Sequence, residues 1–224
     1  MVIAISGMIG SGKSTLSKNL CKEYKNSLMV EEFANDDKVF NTFLKWIYEH
    51  EPNIDIAFQS YIIESLSDSF KKHQKHFLEI YKSHNLGYMF LDRFNVEHYI
   101  FAIVTLEKKH KKYLKAFDAL FHHIINIEDN PDLAIFLDAN FDEIRKRIFS
   151  RGREVEINNF NQNEAYFKRL HQLYKELFIK LCTYYKIPYY IIDTNSKNDQ
   201  SVLYESKKII DKFDFSNSHR YTKD

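Results

Sequence analysis

The sequence predicts an α/β fold, a five-stranded parallel sheet flanked by helices. Two observations carry that reading. Short apolar runs alternate with longer stretches of helical period, and strands separated by helices return to the sheet in parallel, covered on both faces. In addition, the 224-residue chain has only five glycines, and three of them, Gly7, Gly10 and Gly12, stand within six positions directly after the first apolar run. Glycine adopts backbone geometries closed to other residues and lets a ligand approach the main chain.

Val2–Ser6 reads as the first strand, and Ser14–Tyr24 as a helix with Leu16, Leu20 and Cys21 on one face. Ser27–Glu32 is the second strand. Val39–His50 and Ile56–Ile80 have helical period and are separated near Pro52. Tyr88–Asp92 is the third strand, and Val96–Ile127 is helical with a break around the basic stretch Lys108–Lys112. Leu133–Asp138 and Tyr189–Asp193 complete the strands. Asp142–Ser150, Ala165–Tyr185 and Val202–Phe213 complete the helices, and the last residues are expected to fray. No repeat or Pro/Gly/Ser linker divides the chain, so residues 1–224 are read as one domain.

Composition narrows the function classes. Hydrophobic residues make up 44% and charged residues 28%, as in ordinary globular proteins, which argues against a disordered or fibrous chain. A net charge of +1 gives no global reason for a nucleic-acid partner. Nor does any apolar run approach the roughly 18 residues that span a bilayer. The opening residues read as a buried strand rather than a signal peptide. Cys21 and Cys182 are too few for a disulfide framework. These features together point to a cytoplasmic protein with no membrane partner. The basic cluster Glu107–Lys112 reads as a solvated helix face or turn, with a nucleic-acid patch as the alternative.

Gly7-Met8-Ile9-Gly10-Ser11-Gly12-Lys13-Ser14 fits G-x-x-x-x-G-K-[ST] between a strand and a helix, the context in which this phosphate loop works. Loop amides would wrap the phosphates, the helix N-terminus would add its dipole, and Thr15 would continue the cradle. Lys13 would reach the outer phosphates and Ser14 would ligate Mg²⁺. The implied ligand is a nucleoside triphosphate.

Three further clusters fall at the carboxyl ends of strands or beyond, where parallel sheets hold their ligands. Glu31-Glu32 ends the second strand and offers a base for an acceptor hydroxyl; an exposed acidic turn is the alternative. Asp92-Arg93 ends the third strand. There Asp92 could hold Mg²⁺ through water while Arg93 neutralises phosphate charge; the alternative is a structural ion pair. The third cluster, Arg145-Lys146-Arg147 followed by Arg151-Gly152-Arg153 and Glu156, reads as a basic lid over about residues 145–160, or else as a charged surface.

At these residues the chain resembles the deoxyribonucleoside kinases, the P-loop group that includes thymidine kinase 2 and the deoxycytidine, deoxyguanosine and deoxyadenosine kinases. The resemblance includes Phe58-Gln59-Ser60-Tyr61, Tyr48 eleven residues before Gln59, Asp92-Arg93, the Arg151-Gly152-Arg153…Glu156 lid, and Tyr166–His171. It runs from residue 2 to about residue 171, and Phe58-Gln59 with Tyr48 is its discriminating part.

The resemblance implies transfer of the ATP γ-phosphoryl, with Mg²⁺, to the 5′-hydroxyl of a deoxynucleoside. It implies Glu32 as the base, chosen over Glu31 by counting back from Phe40, and Gln59 as a bidentate reader of the nucleobase. Tyr48 and Glu156 would hold the 3′-hydroxyl, Arg93 the 5′ end, and Phe101 would stack on the base. Arg151 and Arg153 would clamp phosphates from the lid. A homodimer through the long helices after the second and third strands is implied as well.

Phe33 stands where the family usually has proline, and Phe94 where it has serine. Leu66, seven residues after Gln59, replaces an arginine that in the purine and deoxycytidine branches commonly pairs with an aspartate, here near Glu97 and His98. Leu66 and Ile62 are therefore expected to form an apolar wall suited to a pyrimidine; the alternative is that Leu66 is only core packing and Gln59 accepts purines too. The competing readings are a thymidylate-kinase-like monophosphate kinase, which usually carries a charged residue within its phosphate loop, and a nucleotide-dependent switch with no nucleoside pocket.

Overall fold

Five parallel strands in the order β2-β3-β1-β4-β5 form the sheet of the computed structural model. It describes residues 1–31, 37–150, 152, 157 and 160–221, and for Tyr48 the backbone alone. The strands are β1 (Val2–Gly7), β2 (Ser27–Val30), β3 (Tyr88–Asp92), β4 (Leu133–Asp138) and β5 (Tyr189–Asp193). The helices used below are α1 (Lys13–Glu23), α2 (Lys38–Tyr48), α3 (Asp55–Tyr81), α4 (Asn95–Leu106), α5 (Lys111–Ile124), α6 (Phe141–Ser150), α7 (Glu164–Tyr184) and α8 (Asp199–Lys212). None of the helices described is long and apolar enough to cross a membrane.

The central strands are hydrophobic throughout because both faces are covered. Along β1, Val2 and Ala4 face one core with Phe136 of β4, Val96 and Ile100 of α4 and Phe178 of α7. Ile3 and Ile5 face the other, with Leu16 and Leu20 of α1 and Leu203 of α8. The two-residue alternation of a strand thus sorts one apolar run into two cores. A smaller cluster joins Ile63 of α3, Ala102 and Leu106 of α4, and Phe117 and Phe121 of α5.

The observed elements agree with the expected ones to within a few residues. Strand β2 ends at Val30, so Glu31 lies past it. The helix break falls at residues 107–110, and α5 restarts at Lys111, where the His110 side chain accepts from Lys112 N–H at 3.3 Å. Cys21 and Cys182 are free thiols.

The expected frayed tail is a correction. Residues Phe215–Asn217 form a 3₁₀ turn, after which Arg220 is buried. Its guanidinium donates to Asp132 at 2.9 Å and to the Asn130 carbonyl at 2.7 Å, and it also bonds the Glu128 carbonyl. Asp132 is fully buried and also accepts from Val2 N–H at 2.6 Å and the Ser218 hydroxyl at 2.5 Å. The tail is thereby fastened to the amino ends of β1 and β4. Removing one partner of a buried ion pair strands the other charge, at a cost of about 3–5 kcal/mol. Arg220→Met is expected to lose about that much in urea unfolding, and Asp132→Asn in the same chain to recover part of it. A loss under about 1 kcal/mol would show that the tail is not anchored by this pair.

Candidate active site

The site is built on the carboxyl end of β1, which lies between β3 and β4, the position where the strand order reverses and α/β sheets open a crevice. Gly7 pairs with Leu137 of β4 in the last rung of the ladder. A side chain at Gly7 would put a Cβ 2.7 Å from the Leu137 carbonyl oxygen, and one at Gly10 would meet Ile148 of α6 at 2.9 Å. Both residues also have positive φ, 140° and 83°. The loop therefore lies flat against β4 and α6, and glycine is required at both points.

Helix α1 begins at Lys13 behind Gly12, which has φ 99° and no side chain to cap it, and no acidic residue lies in the first turn. The leading amides and the helix dipole are thus available to an anion. Lys13 is buried, and its ammonium donates to the Met8 carbonyl at 3.1 Å along the loop. The Ser14 hydroxyl bonds Asp92 Oδ2, whereas Asp92 Oδ1 is buried with no partner among the described residues. This paired hydroxyl and carboxylate oxygen fits Mg²⁺, a hard cation that takes few protein ligands and completes its shell with water and phosphate. No group of three or more His, Cys, Asp or Glu side chains among the described residues could hold a metal by itself.

Arg93 follows in a backbone conformation uncommon outside glycine, φ 78°, with its N–H on the Ile5 carbonyl at 3.0 Å. The turn carries its buried guanidinium 4.7 Å from the centre of the Phe101 ring. Phe94 caps α4 without a side-chain hydrogen bond and packs edge-on against Phe178, 6.4 Å between centroids. At this position an apolar core contact has replaced the polar cap that serine would supply.

A cavity of about 1010 Å³ runs from this loop to a wall made by α3 and α4. Ligand sites usually occupy roughly 300–1,000 Å³, so this cavity lies at the upper end of that range. Phe58, Gln59, Ile62, His98 and Phe101 line its far end. Gln59 is buried and its Oε1 has no partner among the described residues, a cost of about 1–3 kcal/mol that a donor on a ligand would relieve. Phe58 stacks on Phe43 of α2 at 5.6 Å, and His98 stacks on Phe101 at 6.1 Å. Leu66 is a correction: it is half-buried and faces a separate cavity of about 30 Å³ with Phe94 and Asp129, away from the large one. Seven residues of helix carry it about 10 Å along the axis, past the cavity's end.

The phosphate loop, Asp92, Arg93, Phe58, Gln59 and Phe101 are thus brought together. Glu32, Arg151, Arg153, Glu156 and the side chain of Tyr48 lie outside the described residues. Glu31 is exposed at the rim, 3.9 Å from Lys18. Arg147, grouped by sequence with the lid, is a brace instead. It donates to the Ser11 carbonyl of the loop at 3.3 Å and to the Thr194 carbonyl at 2.6 Å while pairing with Glu143. Only the contact between residues 147 and 194 reveals that role, and no local pattern announces it.

With this geometry in hand, comparison with known proteins is decisive. A family model described as deoxynucleoside kinase matches residues 3–214. The chain belongs to the deoxynucleoside kinase family. Among curated relatives of this deoxynucleoside kinase family member, an uncharacterized protein of Mycoplasma pneumoniae is 27% identical over 213 residues, 93% of this chain and 87% of that one. The deoxyadenosine/deoxycytidine kinase of Bacillus subtilis is 28% identical over 182 residues, 78% and 75% of the two chains. The fold is shared with a deoxyadenosine kinase from M. mycoides solved with bound dCTP, at a TM-score of 0.73 and 21% identity over 95% of this chain and all of that one.

His98 was noted in the sequence only for its place beside Glu97, and the structure puts it in the cavity wall. Burial foremost, then the nearby Arg93 and Lys13 charges, holds its imidazole well below the usual histidine range, so it is neutral in the folded protein. The unfolded chain takes up this proton below about pH 6.5 and the folded chain does not, so stability is lost as pH falls through that value. Between pH 7.5 and 5.5 the expected loss from this group is on the order of 1 kcal/mol. Urea unfolding of His98→Gln at the two pH values is expected to show a correspondingly smaller drop than wild type; an unchanged drop would mean His98 is protonated when folded.

Proposed function

We propose that this protein transfers the γ-phosphoryl of ATP, with Mg²⁺, to the 5′-hydroxyl of a deoxynucleoside. The observation that carries the reading is the single cavity that has Lys13 and Ser14 at one end, Gln59 and Phe101 at the other, and Asp92 and Arg93 between them. Phosphoryl transfer needs positioning and charge neutralisation more than covalent help. In this reading Lys13 and the loop amides hold the donor, and Ser14 with Asp92 holds the metal, which would neutralise charge on the phosphates. Arg93 sits where the 5′ end must meet the transferring group. Gln59 reads the nucleobase edge and Phe101 packs on its face. Glu32 takes the hydroxyl proton, Tyr48 and Glu156 hold the 3′-hydroxyl, and Arg151 and Arg153 close over the phosphates; these five roles rest on the family resemblance. So does the homodimer, whereas the proposed cytoplasmic location rests on the composition, with two cysteines too few for a disulfide framework.

We further propose a pyrimidine tilt, thymidine or deoxycytidine. Its support is now Ile62, buried beside Gln59 in the cavity wall, which narrows the space a purine would need. A thymine methyl group against that wall contributes roughly 0.8 kcal/mol. The named nucleoside kinases among the relatives are two deoxyguanosine kinases and a deoxyadenosine/deoxycytidine kinase, and the solved neighbour is a deoxyadenosine kinase, so their names lean toward purines and lend the tilt no support. Purified protein assayed with ATP against thymidine, deoxycytidine, deoxyadenosine, deoxyguanosine and thymidine monophosphate tests both proposals. We expect a pyrimidine deoxynucleoside to have the highest kcat/KM. A purine favoured by more than about tenfold, or about 1.4 kcal/mol, overturns the tilt and leaves the kinase reading in place. Phosphorylation of the monophosphate alone overturns the kinase reading in favour of a monophosphate kinase.

The base assignment has its own test. Glu32→Gln keeps the shape and removes the basicity, so kcat should fall on the order of 10²-fold or more with near-normal ATP binding. If Glu31→Gln is crippled while Glu32→Gln stays active, the carboxylate at the rim is the base.

A further inference from the structure

Glu97 is a fully buried carboxylate of α4 to which the proposed reaction gives no role. Its Oε2 accepts from the Gly7 N–H at 2.9 Å and from the Tyr174 hydroxyl of α7 at 2.7 Å. Its Oε1 has no partner among the described residues. Burying a carboxylate with so few donors is costly, and an apolar side chain there would pack without that cost.

The ladder between β1 and β3 accounts for the first of those bonds. The two strands pair through Ile5 and Asp92, and Arg93 N–H donates to the Ile5 carbonyl. A continued β3 would offer its next carbonyl to the Gly7 amide. The chain instead turns away at Arg93, with φ 78°, and in doing so brings the guanidinium over Phe101. The turn that serves the site thus deprives the first residue of the phosphate loop of its strand partner. Glu97, in the first turn of α4, supplies the missing acceptor, and a charged acceptor makes the stronger bond. Helix α4 also carries His98 and Phe101 of the cavity wall, and Tyr174 packs edge-on against Phe101 at 5.8 Å.

We propose that Glu97 is a positioning residue: it ties the entry amide of the phosphate loop to the helix that forms the nucleoside wall, and so fixes the distance between the donor phosphates and the acceptor. The rate consequence rests on the kinase reading; the consequence for ATP affinity rests on the phosphate loop alone.

The test uses the full chain with Glu97→Gln, Glu97→Ala and Tyr174→Phe. Gln keeps an acceptor for Gly7, so its kcat and its KM for ATP should stay within about threefold of wild type. Ala should lower kcat by about tenfold or more and raise the KM for ATP, since small misplacements in such sites are expensive in rate. Its dissociation constant for the deoxynucleoside should change little. Tyr174→Phe should raise the KM for ATP about threefold in the wild type and not at all on the Ala background, as expected of residues in one network. Amide hydrogen exchange in the peptide spanning residues 5–12 should accelerate in Ala and not in Gln. Should Glu97→Ala fail to fold, Tyr174→Phe and the exchange rates decide the matter. Unchanged ATP kinetics and loop exchange in the variants that fold, with only the melting temperature lowered, would overturn the proposal. If the wild type binds Mg-ATP but phosphorylates no deoxynucleoside, the kinase reading fails, and the tether is then judged by ATP affinity in the same variants.

Discussion

The close approach of Gly7 to Leu137 is the constraint on which the site depends. β1 is the central strand, paired with β3 as far as Ile5 and with β4 as far as Gly7, so its carboxyl end is held in place by β4. The loop that leaves it has no room for a Cβ at residue 7 and little at residue 10. The loop is pressed onto β4 and α6, residues 9–15 line the crevice, and α1 begins directly behind Gly12. Arg147 then locks the loop's far side to the turn after β5. The anion-binding geometry follows from packing that contains no anion.

That packing carries an unusual density of buried polar groups. Lys13, Asp92, Arg93 and His98 line the cavity and are largely removed from solvent, and Glu97, in the same helix as His98, is fully buried. Their mutual attraction offsets part of the desolvation, and the neutral state of His98 avoids adding a third cation beside Lys13 and Arg93. A core built for stability alone would hold apolar residues here. Such local conflicts between folding and polarity concentrate at functional sites, where the rest of the fold must sustain them. The paired apolar faces of β1 and β4 and the Asp132–Arg220 clasp are where this molecule has that reserve.

What the sequence revealed divides along the range of the forces involved. The strands, the helices and the phosphate loop were legible because their signals are local: apolar periodicity, glycine clustering and the strand–glycine–helix order. Asp92-Arg93 was legible because it stands at the end of a strand, whereas Phe58-Gln59 was singled out only through the family resemblance. Arg220 was not, since its partner lies near the other end of β4 and the residues around it are polar. Arg147 was assigned to the lid because a run of basic residues looks alike whether its members point outward or brace a loop. Leu66 was misplaced for a geometric reason. Heptad spacing keeps two residues on one helix face and says nothing of where along the axis a cavity ends.

The stretch from Asp92 to Phe101 does most of the joining. In ten residues it holds the carboxylate bonded to Ser14, the guanidinium over Phe101, the acceptor for the Gly7 amide and two members of the cavity wall. These groups are separated by one strained turn and fewer than three turns of a helix packed against α3 and α7, so their spacing is set by covalent geometry more than by flexible loops. Ligands held at the two ends of the cavity would meet a frame whose ends are already at a fixed separation. In the proposed reaction, which turns on the alignment of an incoming hydroxyl and a phosphoryl group, that rigidity would itself contribute to catalysis, because the entropy of alignment is removed when the chain folds rather than at each turnover.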